Sequence, residues 1–301
     1  MDAITALIRQ KPTKTFAGPS LSLRSATHER VWCDAQGVSY IQHMSSFARR
    51  HFPGIEVARL DRGGHGFAPH FHDEFVLSVN VRGHEQIRLD RKALEAGERE
   101  ITLYNPAQVQ SSQAVSEEWQ FLSIYVDPTF FSNVLDLSSE TVFDSPLLTH
   151  DRVASGMEAA IVHALDSDVP EAEALERLVQ TLDHLLALSG SRQADVSRHV
   201  PPMLRRVADR LTDPAPSPTL TELSAEVNLT PVQLVRAFTR AYGLPPFTWA
   251  ANRRINEARI RLERNESIAD IAADLGFADQ AHLTRRFRAT YGVPPGRWRR
   301  G

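Results

Sequence analysis

The sequence of 301 residues contains a single cysteine, Cys33, and no long apolar run. One cysteine excludes an internal disulfide and is typical of a reducing compartment. No stretch approaches the roughly 20 apolar residues that a membrane-spanning helix needs. The apolar part of the opening segment, MDAITALIRQKPTK, is too short for a secretory signal. These absences predict a cytoplasmic protein that does not enter a membrane.

Recognisable catalytic spacing is also absent. No Ser/His/Asp set and no Cys/His pair has the arrangement of a nucleophilic enzyme. The chain length predicts two domains. The sequence therefore favours a protein that is not an enzyme and needs no cofactor.

Lysine is absent from residues 199–301, which hold 16 arginines and 10 acidic residues. The formal net charge of this segment is +6, whereas the whole chain carries −3, which leaves −9 on residues 1–198. A basic segment joined to an acidic one is typical of a nucleic-acid-binding module fused to a partner domain. The alternative interpretation is that the arginines only cover solvated helix faces.

The last third of the chain contains two copies of one pattern. Eight residues of the first copy recur 49 positions later; the pairs are Leu234/Leu283, Arg236/Arg285, Phe238/Phe287, Tyr242/Tyr291, Gly243/Gly292, Pro245/Pro294, Pro246/Pro295 and Trp249/Trp298. A repeat of this length marks a supersecondary unit that is used more than once. Two copies favour a paired binding module over a solenoid.

Each copy predicts a helix, a tight turn and a second helix. Thr219 followed by Glu222, and Ser267 followed by Asp270, have capping-box spacing. A glycine followed by two prolines then ends the second helix. Leu234, Phe238, Leu283, Phe287 and, in the preceding helix, Ile271 are predicted to be buried. The exposed face of the second helix then carries Val232, Val235, Arg236 and Arg240 in the first copy, and Gln280, Ala281, Thr284, Arg285 and Arg288 in the second. This is the helix-turn-helix pattern, and residues 247–264 predict one long helix between the two units.

Residues 203–300 resemble the DNA-binding domain of the AraC/XylS family of transcription regulators. The segment ADIAADLGFADQAHLTRRFRATYGVPPGRWR carries most of the resemblance. It implies a seven-helix domain whose two recognition helices enter adjacent segments of the major groove. By position, the base-facing sites fall on Val232, Val235, Arg236, Gln280, Ala281, Thr284 and Arg285. The two valines can contact a thymine methyl group but cannot hydrogen-bond to a base edge.

The front of the chain alternates short strand-like runs with turns. The runs are IEVARL, EFVLSVNV, EQIRL, EITLY and FLSIYV. This spacing predicts a sandwich or barrel. His70 and His72, which follow Gly64, resemble the first motif of a cupin, and in the AraC family this region is the effector domain. His70, His72 and Asn80 are therefore candidate effector-binding residues, although all three could be ordinary strand residues.

A metal site is not predicted here. A cupin metal site would need a glutamate near Val76 and Leu77 and a further histidine where Gln110 stands. Glu74 comes too early and belongs to another face of the strand. Two imidazoles alone make a poor metal site. The effector is expected to be a small polar or anionic molecule that binds His70 and His72.

Two amphipathic helices, at residues 151–166 and 171–188, follow the strands. Such stripes normally bury against the chain's own sheet. The leucine-rich second stripe, with Leu178 and Leu182, is also the candidate contact of a homodimer. Residues 189–200 (SGSRQADVSRHV) are polar and predict an interdomain linker.

The fold class predicted is α+β, with an N-terminal cupin-like β-barrel, following helices and a C-terminal all-α domain with two helix-turn-helix units. The domains are an effector-binding and dimerisation domain at 1–188, the linker at 189–200 and the DNA-binding domain at 201–301. The predicted function is a sequence-specific regulator of transcription that binds double-stranded DNA as a homodimer under the control of a small-molecule effector, with RNA polymerase as a further partner. Two alternatives stay open: a cupin-type metal-dependent enzyme with an accessory helical domain, and a DNA-binding protein whose barrel only dimerises.

Overall fold

The computed structural model describes residues 29–33, 39–43, 47–90, 92–134, 141–193, 200–213 and 218–300. The chain divides into two compact units, Met1–Met44 and Ser45–Gly301. The first unit contains two antiparallel strands, β1 (Glu29–Cys33) and β2 (Ser39–His43), with Val31 opposite Ile41. All of the site residues predicted from the sequence lie in the second unit.

The front of the second unit is built from antiparallel strands. They are β3 (Phe47–Phe52), β4 (Ile55–Asp61), β5 (Phe67–His70), β6 (Phe75–Arg82), β7 (Glu85–Leu89), β8 (Lys92–Ala96), β9 (Glu100–Tyr104), β10 (Gln110–Ala114), β11 (Gln120–Val126), β12 (Thr141–Phe143), β13 (Leu147–Thr149) and β14 (Ser191–Gln193). A six-stranded sheet has the order β13-β9-β6-β11-β4-β3, and a four-stranded sheet has the order β5-β10-β7-β8. Strand β12 pairs with β14.

The five strand-like runs of the sequence are confirmed as β4, β6, β7, β9 and β11. The predicted α+β class is also confirmed, but the two sheets are not joined by hydrogen bonds into a closed barrel in the part of the chain that is described. Strands β8 (KALEA) and β10 (QSSQA) were not predicted. Their residues have weak strand preferences, so pairing with β7 decides their conformation.

Strand β6 lies inside the six-stranded sheet and is buried on both faces. Phe75, Leu77 and Val79 belong to the hydrophobic core that the sheet shares with three helices. Val76 and Ser78 alternate with them and line a cavity. The period of two along a strand therefore divides β6 between the core and the cavity.

Three helices accompany the sheets: α1 (Pro128–Val134), α2 (Asp151–Leu165) and α3 (Glu171–Ser189). Both predicted stripes are confirmed as core residues. On α2, Met157 and Ile161 are fully buried, and on α3 the same holds for Leu178 and Leu182. Leu178 and Leu182 therefore expose no surface that a partner chain could contact.

Seven further helices lie between residues 200 and 300 in the part that the structure describes. They are α4 (Pro202–Thr212), α5 (Leu220–Glu226), α6 (Pro231–Tyr242), α7 (Pro246–Glu263), α8 (Ile268–Asp274), α9 (Gln280–Tyr291) and α10 (Pro295–Trp298). The pairs α5–α6 and α8–α9 are the two predicted helix-turn-helix units. Helix α7 confirms the long helix predicted between them.

The two helix-turn-helix units have different cores. The first packs Leu223, Leu234 and Phe238 against α4 in a cluster of helical residues. In the second, Leu283 and Phe287 share one cluster with residues of both sheets, including Phe121 and Ile87. The second unit is thus part of a hydrophobic core that continues into the sheets.

The predicted linker at 189–200 begins inside structured elements. Ser189 is the last residue of α3, and Ser191–Gln193 forms β14. Residues 194–199 lie outside the described residues. The domain boundaries stay a prediction. Within the described part of the chain, no helix is both long enough and apolar enough to cross a membrane.

The buried position of Phe287 gives a direct test of the assigned helix faces. Phe287 is fully buried and contacts the rings of Tyr291 and Trp298. Phe287→Ala should lower the free energy of unfolding by about 3–5 kcal/mol in chemical denaturation. Phe247→Ala is the matched control: that ring is 45% exposed, so its loss should cost about 0.5 kcal/mol or less. A Phe287→Ala protein of full stability would contradict the assignment.

Candidate functional site

Helix α6 has well-defined ends. Thr230 and Gln233 form a capping box, in which the Thr230 side chain accepts from the Gln233 amide and the Gln233 side chain accepts from the Thr230 amide. Pro231 occupies the first helical position, where its missing N–H costs nothing. Gly243 ends the helix with a φ of 78°, a left-handed conformation that favours glycine. These three local signals fix where the helix begins and ends.

Helix α9 is capped in a similar way. The Asp279 carboxylate accepts from the His282 amide, and Gly292 ends the helix with a φ of 80°. The preceding turn contains Gly276 with a φ of 72°, and in the first unit Asn228 has a φ of 53° at the equivalent place. Both units thus have the turn chemistry that the sequence predicted.

The residues predicted to contact DNA lie on the surface of α6 and α9. On α6, Val232, Arg236 and Arg240 are exposed and Val235 is partly buried; on α9, Gln280, Ala281, Arg285 and Arg288 are exposed and Thr284 is partly buried. Val232 is 61% exposed, which is unusual for valine. Among the described residues, Arg236 and Arg285 have no acidic partner. Their guanidinium groups are therefore available for an external ligand.

A cavity of about 500 Å³, including its open mouth, lies between the two sheets and α9. Its walls contain His70, His72, Glu85 and Gln110 from the strands and their adjoining turns. Thr290 and Tyr291, the last two residues of α9, complete the wall. The structure therefore brings both predicted histidines to a cavity that also touches a recognition helix.

The two histidines form a hydrogen-bonded chain with defined tautomers. His70 Nδ1 donates to the Ala68 carbonyl at 2.7 Å, and His70 Nε2 lies 3.1 Å from His72 Nε2. Burial lowers the pKa of His70 to about 4 and that of His72 well below its ordinary value, so both rings are neutral at pH 7. Because His70 Nδ1 carries the proton of that ring, His72 must donate through its Nε2. The buried His72 Nδ1 is then a bare acceptor, and it has no partner.

Glu85 is the acidic group of the cavity. It is 4% exposed, and burial raises its pKa to about 7, although hydrogen bonds from Asn80 and Ser112 act in the opposite direction. Glu85 was not among the residues predicted from the sequence. Its burial could have been predicted, because Glu85 alternates onto the same face of β7 as the apolar residues Ile87 and Leu89, which are buried.

Asn80 lies beside the cavity but is occupied by other protein groups. Its Nδ2 donates to the Ala96 carbonyl at 3.2 Å and to Glu85 at 3.4 Å, and its Oδ1 accepts from Trp119 Nε1 at 3.0 Å. It does not line the cavity wall. Asn80 therefore positions Glu85 and Trp119.

Two positions where a cupin metal site would need ligands are held by Val76 and Gln110. Gln110 lies opposite His70 in the pairing of β10 with β5, and Val76 lines the cavity. Glu74 forms an ion pair with Arg259 on α7. Around the histidines, a carboxamide and an aliphatic side chain thus occupy positions where a metal site would need ligands.

One other group among the described residues could bring ligand atoms together. His51, Glu56 and Glu263 place such atoms within 4.8 Å of one another. Arg49 and Arg259 also contact Glu56, at 2.6 Å and 3.4 Å. Burial alone would raise the pKa of Glu56, but Arg259, a hydrogen bond with His51, and Arg49 together lower it below its ordinary value. This group is an ion-pair network.

Helix α7 docks on the turn between β5 and β6 through its polar face. Asn252 Oδ1 accepts from the Phe71 amide at 3.1 Å, and Asn252 Nδ2 donates to the Phe71 carbonyl at 2.8 Å. Asn256 accepts from the Tyr291 hydroxyl at 3.1 Å and donates to Asp73 at 3.2 Å. Helix α7 thereby links the cavity residue Tyr291 to the turn that carries His72.

Both recognition helices end against the sheets. A Cβ atom added to Gly243 would lie 2.7 Å from Val109 Cγ2, and one added to Gly292 would lie 3.0 Å from Leu60 Cδ2. The Gly292 carbonyl also accepts from Arg62 at 3.1 Å. The sequence could not show that these two turns are contact points.

Comparison with known proteins agrees with this architecture. A family model described as an AraC-like ligand binding domain matches residues 52–182, and one described as a helix-turn-helix domain matches residues 223–301. The arabinose operon regulatory protein of Escherichia coli is 22% identical over 75% of this chain and 80% of its own length. The HTH-type transcriptional regulator YbfI of Bacillus subtilis is 26% identical over 76% of this chain and 86% of its own length. An apo variant of ToxT from Vibrio cholerae has a similar fold, with a TM-score of 0.51, 13% identity and coverage of 82% of this chain and 97% of that one.

A ligand-binding sheet domain followed by two helix-turn-helix units defines a DNA-binding regulator of transcription that has an effector domain. The similarity extends over most of the length of these two regulators, 80% of one and 86% of the other. The chain belongs to the AraC/XylS family.

The raised pKa of Glu85 predicts a pH-dependent stability difference. The folded protein binds the Glu85 proton more tightly than the unfolded chain, whose ordinary value is 4.5, so stability is lost as the pH rises through about 7. Glu85→Gln removes this loss. The variant should be more stable than the wild type by about 3 kcal/mol near pH 8 and nearly equal to it below pH 4.5.

Urea denaturation at both pH values measures this difference. The control is Glu95→Gln, which removes an exposed carboxylate from β8 of the same sheet and should show no such trend. A stability difference between Glu85→Gln and the wild type that does not change with pH would contradict the burial of a titrating carboxyl.

Proposed function

We propose that this regulator reads DNA with α6 and α9 and that a small molecule in the cavity between the sheets controls the binding. One observation carries the proposal: α9 exposes Arg285 on its surface and contributes Thr290 and Tyr291 to the cavity wall. A ligand in the cavity would therefore contact the same helix that contacts DNA.

The DNA contacts are proposed to centre on Arg236 and Arg285. They occupy the same position in the two units, both are exposed, and neither has an acidic partner among the described residues. An arginine can bind guanine O6 and N7 in a fork. The other proposed contacts are Val232, Val235, Arg240, Gln280, Ala281, Thr284 and Arg288. Since Val232 and Val235 lack hydrogen-bonding groups, the first helix should read fewer bases than the second.

Control by a ligand requires that the ligand favour one arrangement of the protein over another. Tyr291 provides a route, because its ring lines the cavity and its hydroxyl donates to Asn256 on α7. Movement of Tyr291 would disturb both the end of α9 and the helix between the two units. His70 and His72 are proposed to contact the effector, and Asn80 is proposed to act through Glu85 and Trp119.

Neither alternative function is favoured by the site. The enzyme alternative needs metal ligands where Val76 and Gln110 stand, so we propose no catalytic role. The alternative in which the barrel only dimerises leaves the unpartnered His72 Nδ1 and the buried Glu85 without a purpose. An effector site accounts for both groups.

We further propose that the protein works in the cytoplasm as a homodimer and contacts RNA polymerase. The proposed domains remain 1–188, 189–200 and 201–301, and strand β14 lies within the linker segment. The dimer contact is proposed on α3, but not through Leu178 and Leu182, which are fully buried. Leu175, Val179 and Leu186 are only partly buried and form the accessible edge of the stripe.

Replacement of Arg285 tests the proposed DNA contact. Arg285→Ala should reduce the preference for operator over random DNA by about 1–3 kcal/mol. Much of the affinity for random DNA should remain. Competition binding with the two DNAs measures this preference. The control is Arg286→Ala on the same helix, which should weaken both complexes equally. Equal losses for Arg285→Ala would show that this arginine contacts only phosphate.

Charge on the accessible edge of α3 tests the homodimer. Leu175→Glu combined with Val179→Glu should give monomers, because two carboxylates would be buried without partners in the contact. Sedimentation velocity measures the oligomeric state, and circular dichroism checks the fold. Gln180→Glu, at an exposed position of the same helix, should leave the dimer intact. A dimeric double variant would place the contact elsewhere.

A further inference from the structure

Two buried acceptors at the cavity have no hydrogen-bond partner. The N–H groups of Trp119, His70 and His72 already donate to protein atoms, as does the Tyr291 hydroxyl. The buried atoms His72 Nδ1 and Gln110 Oε1 have no partner. A buried acceptor without a donor costs free energy until a ligand supplies one.

The described residues that line the cavity include one carboxyl group and no basic side chain other than the two histidines. Glu85 is its single carboxyl, and neither lysine nor arginine is among the described residues that line it. Arg259 stands behind Tyr125 and Tyr291, at 5.7 Å and 5.9 Å from the ring centres, but its charge is met by Glu56, Glu74 and Glu263. Arg62 lies behind Phe67, 4.4 Å from its ring centre, and donates to the Gly66 and Gly292 carbonyls. A bound anion would therefore find no cation among the described lining residues and would meet the Glu85 carboxylate.

Aromatic rings supply the apolar part of the wall. Phe67, Trp119 and Phe121 contact one another with ring centres 4.8–6.0 Å apart, and Tyr104 and Tyr125 also line the cavity. The negative faces of such rings attract cations. The rings and the carboxyl thus favour the same ligand charge.

We infer that the cavity binds a small organic cation with N–H donors, such as a primary ammonium group on an apolar body. The ammonium group would donate to Glu85 and to the open acceptors His72 Nδ1 and Gln110 Oε1, and the apolar body would pack on the aromatic rings. This inference rests on the proposed function of the cavity as the effector site. The sequence suggested a small polar or anionic ligand; we replace the anionic choice by a cation, because both histidines are neutral and cannot attract an anion.

Three probes with one skeleton and different charges test this ligand class. Benzylamine, benzyl alcohol and benzoate are titrated into the full-length protein at about pH 8, above the Glu85 pKa of about 7, and calorimetry measures each Kd. Benzylamine should bind at least about tenfold more tightly than benzyl alcohol, since a charge-assisted hydrogen bond is about twice as strong as a neutral one. Benzoate should not bind.

Glu85→Gln tests whether this carboxyl sets the preference. The variant should lose the roughly tenfold advantage of benzylamine and bind benzyl alcohol as the wild type does. Glu95→Gln removes an equal charge from the surface of the same sheet and should change neither Kd. Benzoate binding as tight as that of benzylamine would overturn the inference, as would an unchanged benzylamine Kd in Glu85→Gln or no binding of any probe at millimolar concentration.

The DNA experiment keeps the two proposals separate. Loss of operator preference in Arg285→Ala does not depend on the cavity, and the probe titrations do not depend on DNA. Failure of the probes with a normal Arg285 result would overturn only the ligand class. If the probes bind as expected but Arg285→Ala keeps its operator preference, the assignment of the DNA contact is overturned and the ligand class still stands.

Discussion

Arg259 is the buried charge on which the joining of the two domains depends. It lies on α7, between the two helix-turn-helix units, and its partners include Glu56 on β4 and Glu74 before β6. A buried ion pair does not always stabilise a protein, but removal of one partner leaves the other charge buried and uncompensated. If helix α7 left the sheets, Glu74 would lose its arginine and Glu56 would keep only Arg49 of its two arginines.

The cavity proposed as the effector site does not belong to the sheets alone. Leu283 and Phe287 of the second helix-turn-helix unit pack in one cluster with Phe121 of the sheets, and Tyr291 closes the cavity. The first unit has its own core with α4. A ligand in the cavity would therefore act first on the second unit. The first unit would respond through α7.

Local signals made the helical domain predictable. Thr230, Asp279, Gly243 and Gly292 act on their own helix ends, and the 49-residue repeat shows each signal twice. The alternation of side chains between the two faces of β6 could also be predicted from the sequence. The cavity could be predicted only in part, because the sequence placed His70 and His72 there but could not bring Glu85, Gln110 and Tyr291 to them. Those approaches depend on strand pairing and domain docking between distant residues. The base contacts of Arg236 and Arg285 stay a prediction.

The glycines at the ends of α6 and α9 constrain how such a protein can evolve. Any helix that ends in a left-handed turn favours glycine there, so a purely local role would explain both residues. Here Val109, just before β10, and Leu60 of β4 also lie against these two turns, so an added Cβ atom would come within 2.7 Å of Val109 at Gly243 and within 3.0 Å of Leu60 at Gly292. A foreign effector domain exchanged onto this helical domain would have to leave the same two spaces free. Domain exchange is therefore limited by shape at the helix ends as well as by the chemistry of the ligand.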